Sequence, residues 1–339
     1  MKKLIILSLV ITIFVELLLK LFVPLLQTGT KSNYIYDEDI GVKHKKNLRS
    51  IVFNDFIDET ITNKYGSINF QDNFDNYDKI IFSIGDSNTK GVGVQFDESY
   101  PFQMFLELNT GNLKSNMSYG VINLGIQASG SIAAFKIYET NKSKIMKPDF
   151  VTHVGGTNDY NDDRYFESGM KHESLVTGSP RYFGLAGPIS TIIEYSEILK
   201  RLKLTFSRYT YLVSINNNVN KLKNKKTEFN SFKEGFDMKT SKQYLKFKKV
   251  AKEDNFIFIL SWIDGSGDKD TCTEYYNYVK NWASNNNILF ADWCNDFKKI
   301  HRNINELPII NNHSSSHFRS WVNRIIASSF VEKILITSR

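Results

Sequence analysis

The apolar positions of the chain fall into three patterns. The first is a continuous run over residues 4–26, LIILSLVITIFVELLLKLFVPLL. As a helix rising about 1.5 Å per residue it spans about 34 Å, enough to cross the hydrocarbon core of a bilayer. Glu16 and Lys20 interrupt the run at i and i+4, so they share a face and can pair, or Lys20 can snorkel toward the nearer interface. Lys2 and Lys3 precede the run. They predict a cytoplasmic N-terminus, with the chain beyond about residue 30 in the periplasm or exterior. A second positive cluster, KHKKNLR at 43–49, competes with that orientation. The run is longer than the apolar region of a cleaved signal peptide and no A-x-A-like site follows it, so residues 1–27 are expected to be a retained transmembrane anchor.

The second pattern is a set of five short runs rich in β-branched and aromatic residues: DKIIFSIG (78–85), YGVINLG (119–125), DFVTHVGG (149–156), NFIFILSW (255–262) and NILFADW (287–293). None alternates, which suits strands covered on both faces. The third pattern has helical spacing and lies between the strands. Ser99 and Pro101 open a stretch with Phe102, Phe105 and Leu106 on one face. Ile132, Phe135 and Tyr138 form another, as do Tyr244, Phe247 and Ala251 in a helix starting near Ser241. Val322, Ile325, Ile326 and Phe330 form the last. Strands alternating with helices predict an α/β fold over residues 78–339: a doubly wound, mostly parallel five-stranded sheet with its sites at the carboxyl ends of strands. Residues 28–77 read as a stalk and irregular lead-in. Residues 160–250 form an insertion, with a helix over YSEILKRLKLTFSRYTYL and a polar surface loop at 216–230.

Composition narrows the function. With 339 residues, 41% hydrophobic and 23% charged, the chain is ordinary globular material with room for a real core. Two cysteines exclude a disulfide framework and a four-cysteine zinc site. Cys272 and Cys294 follow neighbouring predicted strands, and either a disulfide or two buried thiols fits. The net charge of +7 suits an anionic partner but equally a soluble Lys- and Asn-rich surface. No dinucleotide fingerprint, phosphate loop or H-E-x-x-H occurs, and basic residues are not interleaved with aromatics as in a nucleic-acid binder.

The candidate chemistry sits at the strand ends. The first strand runs into IGDSNTKG, placing Ser87 in a strand-to-helix turn. Such a turn suits a serine nucleophile and also a helix N-cap. The second strand ends at Gly125, where backbone can approach a ligand closely; a tight turn would also want Gly there. The third ends in GGTND, where Asn158 offers a side-chain amide or a cap. Backbone N–H groups at Ser87 and Gly125 together with the Asn158 amide would make an oxyanion hole. His317, ahead of the last helix, is the candidate general base, with His313 a nearby competitor.

Together these segments resemble the SGNH/GDSL hydrolases. FSIGDSNTKGVGV resembles their first block and supplies Ser87; NLG resembles the second and supplies Gly125; GTND matches the third and supplies Asn158. HFRSWVNRIIA resembles the last block and supplies His317. YIYDEDIGVKHKKN and TNKYGSIN are similar to the region after the anchor in membrane-bound members. The resemblance covers about residues 34–339 and implies a flavodoxin-like sheet, no metal and no organic cofactor. It also implies an acylated small molecule or glycan as substrate, cleaved through an acyl-Ser intermediate. An envelope polysaccharide O-acyltransferase would use the same site, and a catalytically silent glycan-binding scaffold is the third reading.

One departure stands out: the family's D-x-x-H acid is replaced by Ser314, and no acid lies in the five residues before His317. A Ser–His dyad oriented by a backbone carbonyl or Ser314, an acid from elsewhere such as Asp292 or Asp296, or a slow or inactive site would each account for it.

Overall fold

The computed structural model describes residues 2–22, 33–37, 39–53, 57–110, 117–127, 129–160, 162–163, 196–199, 201–202, 205, 225–264, 272–303 and 317–338. Helix α1 (Lys2–Phe22) is the apolar run, and its residues 5–22 have a mean hydropathy of 2.5 with none of them buried. Among the described residues it is the one helix long and apolar enough to cross a membrane. Glu16 and Lys20 pair on it at 3.5 Å. The Glu16 carboxylate also accepts hydrogen bonds from Ser196 Oγ, the Glu197 N–H and the Ile198 N–H at 3.0, 2.6 and 3.1 Å. Part of the insertion therefore docks on the apolar helix through its acid.

Four short strands follow, where an irregular lead-in is expected from the sequence. β1 (Tyr34–Asp37) pairs antiparallel with β2 (Gly41–His44), and β3 (Arg49–Phe53) pairs antiparallel with β4 (Ile57–Ile61). Tyr34, Ile40 and Val42 join the main core, so the first hairpin is part of the body of the protein. Strands of four or five residues leave too little periodicity to be read from the chain alone.

The main sheet contains β5 (Lys79–Gly85), β6 (Tyr119–Asn123), β7 (Phe150–Gly156), β8 (Ile257–Ile263) and β9 (Leu289–Phe290). Its order is β6-β5-β7-β8-β9 and every pairing is parallel. Every residue of β6 and β7 is buried, as the non-alternating runs require. Counted from β5, the order is 2-1-3-4-5, the flavodoxin-like arrangement. Strands before and after this point are added on opposite sides of β5, so the winding switches between β5 and β7, which sit side by side with Gly85 opposite Val154. The carboxyl ends of these two strands flank the crevice where such sheets bind ligands.

Helices α2 (Ser87–Lys90), α3 (Tyr100–Thr110) and α4 (Ser131–Lys144) connect the first three sheet strands. Helices α5 (Lys225–Gly235), α6 (Ser241–Asp254), α7 (Glu274–Asn285), α8 (Cys294–Asn303) and α9 (Ser320–Thr337) complete the chain. Helix α5 starts within the segment expected as a polar loop, so residues 225–230 are helical; residues 216–224, and most of the helix expected upstream, lie outside the described residues. Helix α3 buries Tyr100, Met104 and Leu108, and leaves Phe102, Phe105 and Leu106 half-buried at its edge. Tyr100 stacks on Phe330 of α9 at 5.6 Å, and Phe247 of α6 stacks on Phe258 of β8 at 4.9 Å. Cys272 and Cys294 form a disulfide with Cα atoms 5.9 Å apart, tying the loop after β8 to the start of α8.

Candidate active site

Ser87 is the first residue of α2, directly beyond the end of β5. Asp86 caps this short helix: its carboxylate accepts the Asn88 N–H at 2.8 Å. Gly85 is required by closeness, because a Cβ there would lie 2.2 Å from Thr89 Oγ1. The turn is thus fixed on both sides of Ser87, which is 9% exposed. Its hydroxyl makes no hydrogen bond to a described residue.

The other two predicted oxyanion residues are near but engaged. Gly125 lies against the backbone of α2; a Cβ there would sit 2.2 Å from Lys90 N. Its N–H donates to Asn123 Oδ1 at 2.9 Å, and its carbonyl accepts from His44 Nε2 at 3.1 Å. Asn158, just beyond β7, donates through Nδ2 to Asp162 Oδ2 at 2.7 Å and to Asp86 Oδ2 at 3.3 Å. Asp86 therefore joins the Ser87 turn to Asn158. Burial pushes its carboxyl above the usual range, and the Asn88 N–H and the Asn158 amide pull it back.

Behind this turn lies a buried polar network. His153 Nδ1 donates to the Ile84 carbonyl at 2.9 Å, which leaves Nε2 as the acceptor. Tyr244 OH lies 3.3 Å from that nitrogen and 3.1 Å from Asp159 Oδ2. Burial pushes the Asp159 carboxyl well above its ordinary value and lowers His153 to about 4, so the imidazole is neutral at neutral pH. Asp163 has a different task. Helix α4 begins after Gly130, which has no side chain to cap it, and Asp163 accepts the Ile132 N–H at 2.7 Å and the Ser131 hydroxyl at 2.5 Å. One carboxylate thus fastens the segment after β7 to the start of α4.

His317 sits before α9 and is half-buried, with Nδ1 inaccessible and without a partner among the described residues. Burial lowers its pKa to about 4; the Lys90 ammonium works in the same direction and the Asp58 carboxylate opposes it. Those two charges are themselves an ion pair at 2.7 Å between α2 and β4. The structure thus brings Ser87, Gly125 and Asn158 around one turn and puts His317 in the field of Lys90, three residues after Ser87. Ser314 and His313 lie outside the described residues. Asp292 is held by Tyr276 and Lys280, and Asp296 is at the surface beside Lys299, so neither serves His317.

Asp58, Lys90, His44 and Asp86 escape a reading of the sequence. Lys90 carries the one local signal, being spaced one helical turn from Ser87. Asp58 and His44 belong to hairpins far from the motifs they touch.

No protein-family profile and no curated protein matches the chain. Among solved structures it is similar to a member of the lipolytic protein G-D-S-L family from Veillonella parvula, at 13% identity and a TM-score of 0.40 over 75% of this chain and 96% of that one. It is also similar to a catalytic mutant of the acetylxylan esterase Axe2 from Geobacillus stearothermophilus, at 15% identity and a TM-score of 0.40 over 76% of this chain and 94% of that one. On its own residues, the chain resembles the SGNH/GDSL hydrolases in the sheet order and in the strand ends that carry Ser87, Gly125 and Asn158.

Proposed function

We propose that the protein is a serine esterase of SGNH type that cleaves O-acyl esters, small acyl groups on a glycan being the favoured substrate. The observation that carries this reading is the placement of Ser87. It opens a helix at the crevice between β5 and β7, and Asp86 links it to the amide of Asn158. In the reaction, Ser87 Oγ attacks the ester carbonyl while its proton passes to His317. The carbonyl oxygen becomes an oxyanion facing the Ser87 N–H, Gly125 N–H and Asn158 amide. Collapse of the tetrahedral intermediate expels the alcohol, which takes the proton from the imidazolium. Water, deprotonated by the same imidazole, then releases the acid and restores Ser87. His317 is neutral at physiological pH, as a base must be. The Gly125 N–H and the Asn158 amide reach an oxyanion by exchanging their present side-chain acceptors for it.

That requirement also supports a second reading, a catalytically silent glycan-binding protein, because both donors are already satisfied within the chain. Transfer to an acceptor hydroxyl in place of water would use the same acyl-Ser. Helix α1 serves in this proposal as an uncleaved anchor with its N-terminus in the cytoplasm and the catalytic domain outside, residues 196–198 reaching the outer half of the helix at Glu16. The Cys272–Cys294 disulfide suits an oxidising compartment.

The test is covalent labelling with a fluorophosphonate probe, read by intact mass and peptide mapping. An adduct on Ser87 that is absent in Ser87→Ala and His317→Ala establishes the nucleophile and its base. Absence of any adduct in the parent protein selects the silent reading.

A further inference from the structure

A cavity of about 410 Å³ opens between the first hairpin, the turn at residues 65–67 and helix α4, on the far side of the Gly125 turn. Its size is within the roughly 300–1,000 Å³ typical of small-molecule sites. Its floor is aliphatic, from Ile40, Leu124, Ile126 and Ile137, and Tyr65 adds an aromatic side chain to its wall. Three lysines line it. Lys43 is neutralised by Asp37 at 2.7 Å, whereas no described acid pairs with Lys46 or Lys144, both of which are exposed. Tyr65, Thr140 and Asn141, all half-buried, add polar side chains to the same wall.

We propose that this cavity binds a hydroxylated carboxylate, the chemistry of a uronic-acid unit of an acidic glycan. Lys46 and Lys144 take the carboxylate, the ring's C–H face lies on the aliphatic floor, and sugar hydroxyls meet Thr140 and Asn141. The assignment goes beyond the esterase reading and does not depend on it.

The experiment is calorimetric titration of the full chain in detergent micelles, carrying Ser87→Ala so that nothing turns over. The probes are glucuronate, an oligoglucuronate, a neutral maltooligosaccharide and hexanoate. The expected result is binding of the oligoglucuronate, with the monomer weaker, at least tenfold tighter than the neutral oligomer and weakening as salt rises. The variant K46Q/K144Q changes only exposed residues and should reduce the affinity at least tenfold. Thr140→Trp, which fills the cavity from half-exposed helix surface, should abolish binding while leaving the circular dichroism spectrum unchanged. Equal binding of the neutral oligomer, tighter binding of hexanoate than of glucuronate, or full affinity in K46Q/K144Q overturns the proposal. Because Ser87 is absent from the titrated protein, the result is separate from whether Ser87 reacts.

Discussion

The Lys90 ammonium lies 2.7 Å from the Asp58 carboxylate, and each side chain is 1% exposed. Removing one partner of a buried pair leaves an uncompensated charge, which is destabilising by about 3–5 kcal/mol, whereas replacing both by apolar groups is often near neutral. Lys90→Met is expected to lower unfolding stability by that amount. Lys90→Met with Asp58→Leu should recover most of the loss. Urea unfolding of the three proteins checks it, and equal losses in the single and double variants would show that the pair is not the source.

The same ammonium acts on His317. With burial and Lys90 holding the imidazole at about 4, the acid limb of kcat/KM for an aryl acetate should fall near pH 4 and not near the ordinary histidine value of about 6.5. Ser87→Ala and His317→Ala should each lower kcat by about 10⁴-fold or more, and the double variant should be little worse than either. An acid limb near 6.5 would place the base elsewhere.

Asp163 gives stability a pH dependence of defined sign. Burial raises its carboxyl from 3.8 to about 7, with the Asp159 carboxylate adding to the effect. Between those values the folded chain holds a proton that the unfolded chain has lost. Its contribution is therefore full below about pH 4 and declines as pH rises to about 7, by at most about 1.4 kcal/mol per pH unit. Asp163→Asn keeps an acceptor for the Ile132 N–H and removes the titration. The difference in melting temperature between parent and variant should shift in the variant's favour from pH 4 to pH 7; a constant difference would assign the carboxyl an ordinary pKa.

The Cys272–Cys294 disulfide closes a loop of sequence separation 22. Chain-entropy arguments give about 3 kcal/mol for a loop near that length. Cys272→Ser with Cys294→Ser should lower stability by that order in denaturant titration. Reducing agent should destabilise the parent protein and leave the double variant unchanged.

The parts legible in the sequence are those that short-range pattern controls. The buried runs at Ile80–Ile84 and Phe150–Val154 could only be covered strands, and the order of strands and helices then fixed a doubly wound sheet. The face of α9 was equally plain, with Val322, Ile325, Ile326 and Phe330 all buried. The spacing of Phe102, Phe105 and Leu106 marked α3 as a helix but not which residues it buries. In fact Phe102 packs against Phe70 and Phe96 at the edge, while the less apolar Tyr100 goes to the centre. The electrostatics of the site could not be read at all. Asp58 meets Lys90 and His44 meets Gly125 only because two hairpins fold back across 32 and 81 residues, and neither hairpin advertises its partner. The disulfide stayed undecided for a similar reason, since spacing along the chain says nothing of the distance between Cα atoms.

Helix α9 packs on α3, with Asn323 Nδ2 donating to the Glu98 carbonyl at 3.2 Å and the Ser328 hydroxyl to Glu107 at 2.7 Å. These contacts join segments 225 and 221 residues apart in the chain. Contacts of such separation form late, because much of the chain must already be ordered before closing so long a loop is favourable. During synthesis the Ser87 turn emerges well before the segment bearing His317. The nucleophile's turn and its base therefore come together only when α9 closes on α3, the later event in the making of the site.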